Sequence, residues 1–103
     1  MTREEIQSAV RAHQAVLELM DQPDEALSLA QFVFLKYILL ERTVEVAKGA
    51  RNAGRKAPNG TSIQPSYISE ILDSSPEDVV LGVQNIAKSI FKKNRKIAYH
   101  VWG

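Results

Sequence analysis

The chain has 103 residues, of which 45% are apolar and 24% charged, and it contains no cysteine. This length accommodates one hydrophobic core but not two, so we expect a single domain spanning residues 1–103. The lack of cysteine excludes disulfides and thiolate-based catalytic or metal sites, and it is typical of a cytoplasmic protein. The chain opens with polar residues rather than a secretory signal, and its most apolar stretch is shorter than the roughly 20 residues of a bilayer span. We therefore expect a cytoplasmic protein without a membrane partner.

The net charge is +1, but the charges are unevenly distributed along the chain. Residues 1–45 contain eight acids and four bases, whereas residues 46–103 contain nine bases and four acids. No acid follows Asp78, while five of the bases do. An asymmetry of this kind indicates an anionic partner for the basic half.

The first predicted helix begins at about residue 3, where Thr2 and Glu5 have the spacing of a capping box, and it ends before Pro23. Its apolar positions recur at steps of four and three residues: Ile6, Val10, His13, Leu17 and Met20. Such a stripe is typical of the face that packs on a core. We therefore expect His13 to be a buried, hydrogen-bonded ring.

A second capping box, formed by Ser28 and Gln31, opens the segment that we predict to be one central helix from Leu29 to about Ala53. The first half of this segment is apolar around its whole circumference. A helix without a polar face belongs in a core or in an interface. The sequence therefore predicts the central helix of the fold here.

Residues 49–64 contain strong turn signals and several bases but no acid, which predicts a long, mobile, basic loop. A short helix from Pro65 to Leu72 follows. Ser75–Asp78 then supplies an N-cap, a proline and two acids, the pattern that opens a helix. The alternating tail, residues 96–102, predicts either a short C-terminal strand or an extension packed on the other helices. We predict a mainly all-α fold, a compact bundle of four main helices.

The segment Ile68–Val79 has the layout of a helix-turn-helix motif, two helices joined by a tight turn. The interlocking apolar positions would be Ile68, Leu72 and Val79. Glu77 and Asp78 depart from the motif, because they stand where a recognition helix would meet DNA phosphates. Gly82 also falls where a further buried apolar residue is expected. The motif is therefore one hypothesis for the C-terminal half.

The first functional hypothesis is a small, dimeric DNA-binding transcription regulator that contacts double-stranded DNA through its basic loop and the basic end of its last helix. Basic side chains would bind phosphates, and Gln84 and Asn85 would read base edges. The predicted phosphate contacts are Arg51, Arg55, Lys56, Lys88, Lys92, Lys93, Arg95 and Lys96.

The alternative is a helical protein-interaction module, an adaptor or inhibitor that binds its partner through an apolar helix face and an aromatic tail. The predicted partner contacts are Phe32, Phe34, Tyr37, Tyr99 and Trp102. Salt-sensitive DNA binding favours the first hypothesis, and a protein contact that depends on the aromatic tail favours the second.

Neither hypothesis involves catalysis. The two histidines, His13 and His100, have no carboxylate at ligand spacing, and no nucleophile motif is present. We therefore expect no enzyme activity, no metal and no cofactor.

Overall fold

A computed structural model describes the backbone of residues 1–102 and the side chains of residues 1–96. Five α-helices follow one another in this part of the chain: α1 (Arg3–Met20), α2 (Leu29–Leu40), α3 (Thr43–Asn52), α4 (Pro65–Asp73) and α5 (Leu81–Trp102). A 3₁₀ turn at Asp24–Ala26 lies between α1 and α2. The β structure in the described residues is one isolated bridge between Lys56 and Ser62. The predicted all-α character is confirmed, with five helices rather than four main ones.

Side-chain caps fix the starts of α1 and α2 where the sequence predicts them. The hydroxyl of Thr2 accepts a hydrogen bond from the Glu5 amide at 3.1 Å. At α2, the Ser28 hydroxyl accepts from the Gln31 amide at 3.1 Å, and the Gln31 side chain accepts from the Ser28 amide at 3.0 Å. These oxygens satisfy amides that the first turn of a helix leaves without an intrahelical partner.

The predicted central helix from Leu29 to Ala53 is wrong as a single element, because it is divided into α2 and α3. Glu41 adopts a left-handed conformation with φ of 58°, and Arg42 is extended. The Asn94 side chain of α5 donates to the Glu41 carbonyl at 2.9 Å, so the break is held from outside the helix. The break redirects α3, which packs on both α2 and α4.

The core is built around α2. Four consecutive α2 residues, Phe32–Leu35, are all buried, which requires neighbours on every side of the helix. Helices α1, α3, α4 and α5 supply these neighbours. The molecule is nevertheless thin, with extents of 45 × 40 × 20 Å. Because one helix with its side chains is about 10 Å thick, the short dimension holds only two helical layers.

The last helix begins at Leu81 and not at Ser75–Pro76 as predicted, so seven residues, 74–80, separate α4 from α5. Val79 is buried at the end of this connection. The Gln84 side chain donates to the carbonyls of Pro76 and Val79, both at 2.9 Å, and so holds the connection against the start of α5. The backbone then stays helical through Trp102, so the strand predicted for residues 96–102 is wrong and the extension is helical.

Helices α1 and α5 come close together at Gly82. A Cβ added at Gly82 would lie 2.9 Å from the Cβ of Ala12, closer than two carbon atoms ordinarily come. The position expected to bury an apolar side chain is therefore occupied by the neighbouring helix itself. This contact joins the two helices that pack most extensively on each other.

Candidate interaction surface

The arginines of the predicted loop are hydrogen-bonded to backbone carbonyls of the fold. The Arg55 guanidinium donates to the carbonyls of Asp24 at 2.6 Å and Leu27 at 2.7 Å, and it lies 5.2 Å from the centre of the Phe32 ring. Arg51 donates to the carbonyl of Ile63 at 2.9 Å. Charge-assisted hydrogen bonds of this kind tie the segment after α3 to the rest of the fold. The side chain of Lys56 is exposed.

The two side chains predicted to read bases differ in their exposure to solvent. Gln84 is 5% exposed, and its amide nitrogen is occupied by the two carbonyls that it caps. Its Oε1 is buried without a hydrogen-bond partner. Gln84 as a base-reading residue is therefore wrong, because the side chain is a buried structural cap. Asn85 is exposed and faces α1.

Some of the predicted basic residues of α5 form contacts within the fold, and others do not. The Lys88 ammonium donates to the carbonyl of Ser74, and Arg95 pairs with Asp73 at 3.4 Å. The exposed bases of α5 that form no ion pair within the described residues are Lys92, Lys93 and Lys96.

The loop bases and the α5 bases lie near opposite ends of α2. Arg55 lies over Phe32 in the first turn of α2, whereas Asn94, beside the α5 bases, contacts Glu41 at the other end. Nine residues of helix separate these points by about 14 Å. The structure therefore keeps the two predicted basic clusters apart instead of merging them.

The α2 residues predicted to bind a partner are core residues. Phe32, Phe34 and Tyr37 are each at most 2% exposed, so the prediction that they contact a partner is wrong. The Tyr37 ring packs edge-on against Phe91 at 5.7 Å, and its hydroxyl accepts from Asn94 at 3.1 Å. Burial raises the pKa of this hydroxyl above its ordinary 10.0. The side chains of Tyr99 and Trp102, also predicted to bind a partner, lie outside the described residues.

The apolar stripe of α1 faces solvent, contrary to the prediction that it packs on the core. We call its five residues the α1 seam: Ile6, Val10, His13, Leu17 and Met20. The four apolar members are between 48% and 57% exposed. His13 is also exposed, and one ring nitrogen lies 2.7 Å from the Ala9 carbonyl, so the expected burial of His13 is wrong while its expected hydrogen bond is present.

A second face of α1 makes the contacts with the core. Val16 and Leu19 are buried there, and Ala15 packs against the same cluster. The helix thus has two apolar faces, of which one is used inside the molecule. The four-and-three spacing in the sequence locates the seam, but the smaller residues of the second face give a weaker signal. Large exposed apolar side chains also occur in two shorter sets, at the α2–α3 junction and at the start of α5.

A groove of about 470 Å³ runs beside the seam between α1 and α5. Its α1 wall includes Ala9, Ala12 and His13, and its α5 wall includes Ile86 and Ile90. Apart from the His13 imidazole, no ionisable side chain lines the groove among the described residues. The seam therefore continues onto an uncharged surface instead of ending at a charged rim.

Within the part of the chain that the structure describes, none of the helices combines the length and the hydropathy required to cross a bilayer. A comparison of the chain with protein-family models, curated proteins and solved structures found no match. Its function is therefore inferred from its own residues.

Proposed function

We propose that this chain is a small helical interaction module that binds a protein partner through the α1 seam. The observation that carries the proposal is the exposure of four large apolar side chains in register on a helix whose other apolar face is already buried. Apolar residues scattered singly over a surface are ordinary, but a continuous row of them marks a binding surface. A partner with its own apolar helix face would remove this row from water.

The energy gained by burying the seam matches only the lower end of the cost of association. Fully burying such a side chain contributes about 1.5–3 kcal/mol, so burying the exposed half of one contributes about 1 kcal/mol. Four seam residues then supply about 3–6 kcal/mol from this chain. The loss of translational and rotational freedom on binding costs about 4–15 kcal/mol, so the partner has to bring a comparable apolar face.

In-cell photo-crosslinking tests this proposal. A photo-reactive amino acid is placed at Leu17, in the seam, or at Arg11, an exposed position on another face of α1. We expect protein adducts from Leu17 and few or none from Arg11. Equal labelling from both positions, or none from Leu17, would contradict a binding role for the seam. The mass of each adduct separates a second copy of the chain from a different protein.

A second candidate function is the DNA-binding regulator, favoured by the free lysines of α5. Lys92 and Lys96 are exposed and lie one turn apart, so their side chains emerge from the same face of the helix. Lysines in such a row suit the regular spacing of backbone phosphates.

Fluorescence anisotropy of a labelled random-sequence duplex tests the DNA hypothesis. If the row binds, affinity falls steeply with salt, and each phosphate contact removed lowers the slope of log K against log salt by about 0.9. The double variant Lys92→Glu and Lys96→Glu should abolish binding, while Lys48→Glu, an exposed lysine on α3, should change it little. No binding even at low salt would exclude this function.

A further inference from the structure

We infer that the protein covering the α1 seam is a second copy of this chain, bound with the two α1 helices antiparallel. The inference rests on the proposed function, because it names the occupant of the same surface. It makes the homodimer a consequence of α1 rather than of the buried helix α2.

The spacing of the seam is that of a heptad repeat. Steps of four and three residues place Val10 and Leu17 at one core position of the heptad and Ile6, His13 and Met20 at the other. When two such helices run antiparallel, the two kinds of core position meet in each layer. Ile6 then packs on Leu17 of the second copy, and Val10 packs on His13 of the second copy. Symmetry repeats both layers, so the seam is complementary to itself.

The flanking positions between Ile6 and Leu17 carry no charge. Gln7 and Gln14 lie on one side, and Ala9 and Val16 lie on the other. Charged residues at these positions normally select a partner of opposite charge. Their absence removes the repulsion that would oppose pairing of two identical helices, and it leaves nothing that would select a differently charged partner.

Charge at the helix ends favours the antiparallel order. Arg3 occupies the next core position before Ile6, and Asp21 follows the last seam residue. In an antiparallel pair, Arg3 lies beside Asp21 of the second copy, and the helix dipoles oppose each other. In a parallel pair, Arg3 would instead face Arg3 of the second copy. The same sequence is therefore complementary in one orientation and repulsive in the other.

His13 makes this pairing sensitive to pH. Histidine is the side chain that ordinarily gains its charge between about pH 8 and 5. Among the described residues, no acidic or basic side chain lies beside His13. Its neighbours one turn away on α1 are Ala9, Val10, Val16 and Leu17, and the α5 residues that share its groove are Gly82, Asn85, Ile86, Ser89 and Ile90. An imidazolium packed on Val10 of the second copy would lose water without gaining a counter-charge. Acidification should therefore separate the copies.

Sedimentation equilibrium of the purified chain over a micromolar concentration series tests the pairing. We expect a dimer at about pH 7.5 whose dissociation constant rises by about tenfold or more at about pH 5.5. His13→Leu should remove that pH dependence. Leu17→Glu should raise the dissociation constant by about 100-fold or more, because it places a charge in each of two apolar layers. Arg11→Glu, which alters an exposed position off the seam, should leave the dimer intact.

Disulfide trapping tests the orientation of the two α1 helices. Because the described residues contain no cysteine, a disulfide can form only between the introduced cysteines. A chain carrying both Ile6→Cys and Leu17→Cys should oxidise to a covalent dimer, whereas a chain carrying Leu17→Cys alone should not. Crosslinking through Leu17→Cys alone would overturn the antiparallel order.

The remaining outcomes separate the two proposals. A chain that stays monomeric at every concentration overturns the second copy as occupant, and so does a dimer that Leu17→Glu does not weaken. If the monomeric chain still forms adducts with another protein from Leu17, the interaction module stands without the homodimer. If Leu17 forms no adducts either, both proposals fail. A dimer with the same dissociation constant at both pH values overturns the role of His13.

Discussion

Replacing Gly82 by alanine should destabilise the protein, although alanine is the better helix former. The added Cβ would lie 2.9 Å from the Ala12 Cβ and 3.1 Å from the Ala12 Cα, and neither atom can rotate away. Ordinary carbon contacts lie at about 3.5–4.0 Å, so α1 and α5 must separate by roughly half an ångström or more. Overpacking of this kind costs about 1–3 kcal/mol, against a helix-propensity gain of at most about 1 kcal/mol. We expect a net loss of about 1–2 kcal/mol in the free energy of unfolding.

Urea denaturation followed by helical circular dichroism measures this change, and Gly49→Ala provides a matched control. Gly49 lies inside α3, and a Cβ added there meets no atom within 4 Å. The same substitution should therefore stabilise the protein by about 0.5–1 kcal/mol at Gly49. Adding Ala12→Gly to Gly82→Ala should recover part of the loss by removing the opposing Cβ. If Gly82→Ala stabilises the protein as much as Gly49→Ala does, the close packing of α1 on α5 is refuted.

Three further predictions concern side chains that hold the fold. Arg55→Ala should lower the free energy of unfolding by about 2–3 kcal/mol, because it removes two charge-assisted hydrogen bonds and a ring contact. Lys56→Ala should lower it by less than about 0.5 kcal/mol. Similar unfolding midpoints for the two variants would refute the anchoring role of Arg55. Gln84→Glu should lower the free energy of unfolding by about 2 kcal/mol or more at neutral pH, because it places a buried carboxylate against two carbonyls. Asn85→Asp makes the same change of charge at an exposed site and should leave the free energy of unfolding nearly unchanged. Because burial raises the pKa of Tyr37 above 10.0, stability should be insensitive to this group below pH 10.0 and should fall as pH rises from there through the higher folded-state pKa. A pH series of unfolding free energies should show a smaller alkaline loss for Tyr37→Phe, and an unchanged loss would assign it to other groups.

Local signals in the sequence located several helix boundaries. The start of α1 follows from Thr2 and Glu5, and the start of α2 follows from Ser28 and Gln31, because a cap acts within one turn of the chain. Pro65 likewise opens α4 as predicted. Boundaries set by residues close in sequence were therefore predictable.

Boundaries set by distant residues were not predictable from the same signals. The break between α2 and α3 is held by Asn94, which lies 53 positions after Glu41. The pattern at Ser75–Asp78 is strong locally, but the Gln84 side chain occupies the carbonyls of Pro76 and Val79 and the helix starts only at Leu81. The Asn94 bond is tertiary and the Gln84 bonds span eight and five positions, so all of them act from beyond the one turn in which a helix cap operates.

The candidate site shows the same limit. The sequence predicts Arg55 to be a solvent-exposed base, but its guanidinium binds the carbonyls of residues 28 and 31 positions earlier in the chain. The periodicity of α1 correctly identified an apolar stripe, but periodicity alone does not say which of two apolar faces turns inward. The face of α1 around Ala12 packs on α5 because Gly82 lets the two helices come close. This contact depends on a residue of α5, so the sequence of α1 alone does not predict it.

The close contact between Ala12 and Gly82 also orders events during synthesis. The two residues are 70 positions apart. At this point in synthesis, at about 5–20 residues per second, the ribosome adds Gly82 some 4–14 seconds after Ala12. During that interval α1 has neither its main packing partner nor cover for its second apolar face. Of the five helices, α1 is therefore made first but is among the last to dock, and both of its apolar faces are exposed during synthesis before the seam alone is.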